Sequence, residues 1–126
     1  MLVPLLLVAA DFARVYYTYV TLQDAARAGA QYGSQSVTTA ADIAGIEAAA
    51  TADASNIPGM SASASQCTCA TGSTVMSCPT SYCSSAPTDA AFVTVNTSAT
   101  FNTIVNYPGI PSSVALSGQA VMMVEQ

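Results

Sequence analysis

Apolar residues follow two patterns in the first quarter of this chain, and together they predict one long helix. Residues 2–10 are apolar on every side, which is typical of a segment that is buried all round. From Phe12 onward, apolar side chains recur at helical spacing as far as Gly33, a residue type that commonly ends a helix. Pro4 falls in the first turn, where its missing N–H is tolerated. We therefore predict a helix over residues 1–33, about 45–50 Å long at 1.5 Å per residue.

The second half of this helix has distinct faces. Its apolar stripe consists of Phe12, Val15, Tyr16, Tyr19, Val20, Ala26 and Ala30, and its polar face of Gln23, Asp24, Arg27 and Gln31. The small residues Ala25, Gly29 and Gly33 are spaced by four, so this side of the helix can approach a neighbouring backbone closely. Four tyrosines of this helix are expected to pack against the sheet and between chains, with an aromatic belt as the alternative: Tyr16, Tyr17, Tyr19 and Tyr32.

A second, shorter helix is predicted over residues 39–55. Thr39 and Asp42 have the spacing of a capping box at its start. Ile43, Ile46 and several alanines supply a small apolar face, and the sequence NIPG follows as a terminator.

Period-two alternation begins at Met60 and predicts an antiparallel sheet. MSASASQCTC is expected to pair across a turn at TGST with STVMSCPTSYC, and residues 91–106 are expected to pair with residues 113–126 across the Pro/Gly-rich NYPGIPSS. The predicted fold class is α+β, with a long protruding N-terminal helix and a short second helix on a small antiparallel sheet. We divide the chain into the helix 1–33, whose residues 1–10 form an apolar stub, and a globular head 34–126, with its sheet in residues 60–126.

The apolar stub must be covered by something outside the head. It is shorter than the roughly 20 residues of a membrane span. It also lacks the basic start of a secretory signal peptide, and VAADFA is a poor cleavage site. One small domain cannot cover a segment that is apolar on every side, so we expect it to pack in lipid or against copies of itself.

Composition narrows the function classes. Hydrophobic residues make up 52% of the chain and charged residues only 7%, with a net charge of −5. Nucleic acid is excluded as a partner because its phosphates require clustered Lys and Arg, and Arg14 and Arg27 are the only basic residues. The sequence contains no His and no Lys, so its serines have no evident catalytic base. We predict no enzymatic activity, no metal and no cofactor.

The cysteines Cys67, Cys69, Cys78 and Cys83 lie within 17 residues and admit two interpretations. Their spacing does not match the usual zinc knuckles and the chain has no His, so two disulfides are favoured over a metal site. Four cysteines allow three pairings. A hairpin turn at TGST favours the nested pairing, Cys69–Cys78 inside Cys67–Cys83.

Asp11 and Arg14 follow the apolar stub, three positions apart. A lone carboxylate in a dry helix bundle is costly, so we expect the two to pair. The pair is either a buried ion pair that sets axial register between chains, or a partly solvated pair that contributes about 0.2–0.5 kcal/mol. Asp24 and Arg27 repeat the spacing and are expected to be ordinary surface.

Asn96 is a candidate glycosylation site because Asn96-Thr97-Ser98 fits the acceptor pattern. The alternative is a chance match on a strand. Exposed hydroxyls such as those of Ser61, Ser63 and Thr71 are candidates for O-linked sugars.

The N-terminal motif resembles that of the TadE-like family of tight-adherence pilus proteins. That family has an apolar run with Pro, an acidic residue, Gly/Ala-Arg, a Tyr-rich turn and an LQ-(D/N)-AAR-x-GA-x-YG segment. The matching positions are Pro4, Asp11, Phe12, Arg14, Tyr16, Leu22, Gln23, Asp24, Ala25, Ala26, Arg27, Gly29, Ala30 and Tyr32. The C-terminal segment from VTVNTSATF onward also resembles the family's hairpin, with a looser pattern.

One feature of the family is missing from this sequence. The processing site and the glutamate that normally precede the Pro do not appear before Pro4. We expect either a truncated start or processing further into the chain. In the family, that glutamate is expected to pair with the N-terminal amine of a neighbouring subunit during assembly. No residue of this sequence can be assigned that role.

The resemblance implies a pilin-like structural subunit. Such a chain is held in the inner membrane, is extracted by pilus assembly machinery, and packs with copies of itself in an extracellular adhesive filament. The residues implied in subunit packing are Leu2, Val3, Leu5, Leu6, Leu7, Val8, Phe12, Val15, Tyr16 and Tyr19. Two alternatives are a minor, initiating subunit of another filament and a membrane-anchored monomeric binding domain.

Overall fold

The computed structural model describes residues 1–104 and 108–126 of the chain and has the predicted α+β architecture. Its helices and strands, in chain order, are α1 (Leu2–Ser34), α2 (Val37–Ala41), α3 (Ile43–Asp53), β1 (Ser61–Thr68), α4 (Thr80–Cys83), β2 (Ala91–Asn102) and β3 (Ser113–Met123). The three strands form one antiparallel sheet in the order β1-β2-β3. The division at residue 33 into a helix and a head stays a prediction.

Helix α1 confirms the long predicted helix and has two different environments. Side chains before Asp11 are exposed, whereas Leu22, Ala26 and Ala30 are fully buried against the sheet and α3. The whole helix is long and apolar enough to cross a membrane, although the stub alone is too short for this. Only 11% of its most apolar window is buried within the chain.

Small residues allow α1 to pack closely against α3 and β2, as their spacing predicted. A Cβ atom on Gly29 would lie 3.0 Å from the carbonyl oxygen of Ile46, and one on Gly33 would lie 2.8 Å from the Ile46 side chain. Ile46, Val93 and Val95 fill the space that these glycines leave, and all three are fully buried. The small-residue face therefore serves the core of the same chain.

The single helix predicted over residues 39–55 is wrong, since α2 and α3 are separate. Ser36 is the N-cap of α2, in a capping box with Thr39 at its third position. Asp42 ends α2 and is the N-cap of α3, where its side chain accepts a 3.0 Å hydrogen bond from the Gly45 N–H. Asp side chains favour such caps over helix interiors because they bond to nearby backbone N–H groups. Helix α3 ends at Asp53, before the NIPG terminator.

The pairing of the two long C-terminal segments is confirmed, with Thr97 opposite Gly118 at the centre of β2 and β3. Along β2, buried residues alternate with more exposed ones over its whole length. Residues 105–106 of the predicted first segment, and residues 106–107 of NYPGIPSS, lie outside the described residues.

The predicted hairpin between the cysteine-containing segments is wrong. Strand β1 pairs with β2, with Ala64 opposite Val95. The backbone of the downstream cysteine segment pairs with β1 at an isolated bridge between Thr68 and Ser77, and that bridge is parallel. Since β2 offers a long apolar face and the cysteine segment does not, β1 gains more apolar burial beside β2.

Candidate functional site: the exposed helix and its junction with the sheet

The N-terminal part of α1 is an exposed apolar surface. Residues that were predicted to pack between subunits and are exposed here are Leu2, Val3, Leu5, Leu6, Leu7, Val8, Phe12, Tyr16 and Tyr19, while Val15 is partly buried. The structure therefore places these side chains together on one surface. Contiguous apolar surface of this kind marks an interaction with protein or membrane. Packing against a second chain stays a prediction.

The tyrosines of α1 do not all pack as predicted. Tyr16, Tyr17 and Tyr19 are exposed, so the prediction that they pack against the sheet is wrong for these three within the chain. The Tyr17 hydroxyl accepts a 3.0 Å hydrogen bond from the Asn56 amide. Tyr32 alone packs against the core, where its ring is partly buried.

Asp11 and Arg14 pair within the chain, at 3.6 Å between Oδ1 and a guanidinium nitrogen. The Asp11 carboxylate also accepts from the backbone N–H of Ile104, at 3.3 Å to each oxygen. The Arg14 guanidinium lies 5.1 Å from the centre of the Phe101 ring. The pair thus joins α1 to the end of β2 and the connection that follows it.

The two partners differ in exposure. The Asp11 side chain is 14% exposed and that of Arg14 is 52% exposed, so the pair is not a buried ion pair within one chain. The second pair, between Asp24 and Arg27, has the same 3.6 Å separation, but its side chains are 57% and 64% exposed. It is ordinary surface, as predicted. A role of the first pair in register between chains stays a prediction.

Two grooves flank α1 at this junction. One, which we call the Arg14 groove, has a volume of about 510 Å³; its lining includes Arg14, Tyr17, Asn56, Thr100 and Asn102. The other has a volume of about 250 Å³ and is largely apolar, with Val8, Phe12, Val15, Ile110 and Val114 among its lining residues.

The cysteines form two disulfides, as predicted, but the nested pairing is wrong. Cys67 is bonded to Cys78, and Cys69 is bonded to Cys83. The reason is the parallel Thr68–Ser77 bridge, since two segments that run in the same direction bring the earlier cysteines together and the later cysteines together. The sulfurs of Cys69, Cys78 and Cys83 lie within 4.8 Å of one another, yet each belongs to a disulfide and offers no thiolate to a metal.

Asn96 lies on the exposed face of β2, the central strand. Its side-chain oxygen accepts a 2.9 Å hydrogen bond from the Gln119 amide on β3. Ser98 of the same motif is within 2.9 Å of the Ser61 hydroxyl. The candidate glycosylation residue Asn96 is thus accessible but lies in regular sheet, and its glycosylation stays a prediction.

Sequence reasoning missed Phe101 and Ile104 as members of the Asp11–Arg14 junction. Ile104 lies 93 positions from Asp11, so no local spacing or periodicity connects them. It also missed Glu47, whose carboxylate accepts a 3.0 Å hydrogen bond from the Ala64 N–H of the edge strand β1. A charged side chain on an exposed sheet edge discourages pairing with another strand.

Comparison with known protein families gives a match to the N-terminal helix, which contains the exposed apolar surface described above. The family described as TadE-like protein matches residues 1–31, which cover most of α1. This agrees with the resemblance that the N-terminal motif showed. No curated protein and no solved structure matches the chain.

Proposed function

We propose, from the match of its residues 1–31 to the TadE-like family, that this chain is a structural pilin subunit. It polymerises through α1 into an extracellular, type IV-like filament of the tight-adherence class, which serves adhesion or surface colonisation. Before assembly, α1 is held in the inner membrane, and the pilus assembly machinery is its partner there.

The observation that carries this proposal is the exposure of an apolar helix end that the rest of the chain does not cover. Every side chain from Met1 to Ala10 is exposed, although six of them are Leu or Val after the first residue. Burying each Leu or Val contributes roughly 1.5–3 kcal/mol, so six of them contribute roughly 9–18 kcal/mol. That is as large as the cost of association, about 4–15 kcal/mol.

The distribution of polar groups also supports a polymer with helices inside and sheets outside. The face of β2 that points away from α1 has exposed neutral side chains, such as Asn96, Ser98 and Thr100. The head is crosslinked by two disulfides in a segment whose residues are mostly exposed, which suits an oxidising environment outside the cell.

Electron microscopy of material sheared from the source cells, with peptide mass spectrometry of the same fraction, tests the proposal. We expect thin filaments whose density follows this sequence, with α1 inside and the sheet outside. Recovery of the chain as a trace component of filaments built from another protein would identify a minor, initiating subunit instead. Recovery from membranes as a monomer alone would identify an anchored binding domain and would overturn the filament.

A further inference from the structure

Arg14 has hydrogen-bonding capacity that the described part of the chain does not use. Its guanidinium carries five N–H donors, and none of them makes a hydrogen bond to the described residues. The contact with Asp11, at 3.6 Å, is too long to be one. The side chain is 52% exposed and lies against the Phe101 ring. A planar, partly desolvated guanidinium held in this way is suited to bind an anion with two oxygens at once.

The walls of the Arg14 groove add further polar groups. The Asn56 amide donates to the Tyr17 hydroxyl oxygen, so the Tyr17 proton is free to be donated to a ligand. Thr100 and Asn102 also line the groove, but their side chains alternate with that of Phe101 and point to the outer face of the sheet, so the donors that face the groove come from α1 and Asn56. At about 510 Å³, the groove has room for a small anionic group with its attached alcohol.

The position of the groove along α1 indicates the source of the anion. Arg14 follows the apolar stub by four residues, or about 6 Å along a helix. The exposed rings of Tyr16, Tyr17 and Tyr19 lie at the same level of the helix. Aromatic and basic side chains directly beyond an apolar segment lie at the headgroup level when that segment is in a bilayer.

We propose that the Arg14 groove binds the phosphate of an anionic phospholipid headgroup while α1 lies in the membrane. This inference rests on the proposed function only in that it requires α1 to enter a bilayer. The Asp11 carboxylate lines the other groove and not the Arg14 groove, and it makes no hydrogen bond to the guanidinium, so the N–H donors of Arg14 stay available to an anion. The described lining residues include no carboxylate that would receive a choline or ethanolamine amine, so a headgroup with phosphate as its only charge fits best.

Native mass spectrometry of the full chain in neutral detergent tests this site, with phosphatidylglycerol, phosphatidylcholine and inorganic phosphate as separate additions. We expect retained phosphatidylglycerol adducts on the wild-type chain, at least about tenfold weaker binding for Arg14→Gln, and unchanged binding for Arg27→Gln. Arg27 is the matched control because it lies on the same helix with the same spacing to an aspartate. Tyr17→Phe keeps the ring, removes the donor, and is expected to weaken binding roughly threefold.

Several outcomes would overturn the inference. Equal adducts for the wild type, Arg14→Gln and Tyr17→Phe would reject the groove as the site. Displacement of the lipid by equimolar inorganic phosphate would assign a free phosphate as the ligand and reject the lipid. Because Tyr17 is exposed, its variant remains informative even if Arg14→Gln fails to fold. Normal filaments without lipid selectivity would reject this inference alone, whereas lipid binding without filaments would reject the proposed function alone.

Discussion

The hydroxyl of Thr97 donates a 2.7 Å hydrogen bond to the carbonyl oxygen of Leu22 and so joins the centre of the sheet to the middle of α1. Thr97 is 1% exposed and Leu22 is fully buried. Directly opposite Thr97 on β3 is Gly118, and its lack of a side chain lets the Leu22 backbone approach. Helix α1 is therefore held on the sheet at Leu22 by a polar contact as well as by apolar packing.

Replacing Thr97 with Val tests the contribution of that hydrogen bond. The shape is retained and the hydroxyl is lost, while the Leu22 carbonyl keeps its helical partner. We expect the free energy of unfolding to fall by about 1 kcal/mol, measured by urea denaturation of the full chain with its disulfides intact. Thr100→Val, on the exposed face of the same strand, should change stability by less than about 0.5 kcal/mol. Equal effects of the two variants would contradict the assigned role.

Gly118→Ala tests the close approach of β3 and α1. The added Cβ atom would lie 2.7 Å from the Leu22 carbonyl oxygen, and backbone atoms cannot give way as a flexible side chain can. We expect a loss of roughly 1–3 kcal/mol, as is typical of overpacked sites, with a lower urea midpoint. Ser117→Ala, next along β3 on the exposed face, is the control and should leave the midpoint nearly unchanged. An unchanged midpoint for the glycine variant would show that β3 can move away from the helix.

Whether an element or contact could be predicted from the sequence depends on how far apart its partners lie in the chain. Periodicity predicted α1 and the long β2–β3 pair because each is determined by one repeating pattern. The predicted cysteine hairpin was wrong because TGST suggested a local turn, whereas the partners of β1 lie 23 to 37 positions away in β2. The predicted single helix is divided because Asp42 is the N-cap of α3, whereas the sequence analysis placed it in the first turn of a helix that begins at Thr39. At the candidate site, the apolar sequence of residues 2–10 predicted a segment that the head does not cover, but the exposure of the tyrosines was not predicted, and the grooves need β2 and the 108–114 segment beside it.

The disulfide pairing is open to a direct chemical test. Partial reduction, cyanylation of the freed thiols and cleavage at the modified cysteines identify the two members of each bond, even though only Thr68 separates Cys67 from Cys69. Singly reduced chain should yield fragments cut at Cys67 and Cys78, or at Cys69 and Cys83, by mass spectrometry. Cuts at Cys69 and Cys78 in one species would restore the nested pairing. Loss of either bond should cost about 2–4 kcal/mol.

Tyr32 provides a prediction about pH. Its hydroxyl donates a 2.9 Å hydrogen bond to the Asp42 carboxylate. That bond, then the negative charge of Asp42, then burial raise the pKa of Tyr32 above its ordinary value. Because the raised pKa belongs to the folded state, the stabilisation is fully present below the unfolded pKa of about 10 and is lost as pH rises through the folded value.

Asp42→Asn isolates the charge in this contact. Asn retains the helix cap of α3 but removes the negative charge, so the pKa of Tyr32 should move down towards its ordinary value. Titration of the tyrosine ring carbons by NMR would measure the shift. Asp53→Asn, at the other end of α3, is the control and should leave the Tyr32 titration where it is. An unmoved pKa in the Asp42 variant would mean that the negative charge of Asp42 does not act on Tyr32 in solution.

The two ion pairs of α1 allow a matched test of the filament. Both have a 3.6 Å separation and the same spacing, but only Asp11 is also held by a backbone N–H of the head, and only Arg14 lies on an aromatic ring. Removing Arg14 therefore leaves a mostly covered carboxylate without its cation, whereas removing Arg27 leaves a solvated one. We expect Arg14→Ala to reduce the yield of sheared filaments more strongly than Arg27→Ala, measured by quantitative electron microscopy and immunoblotting. Equal yields would eliminate the Asp11–Arg14 pair as a determinant of register, and the apolar surface alone would then have to align neighbouring helices.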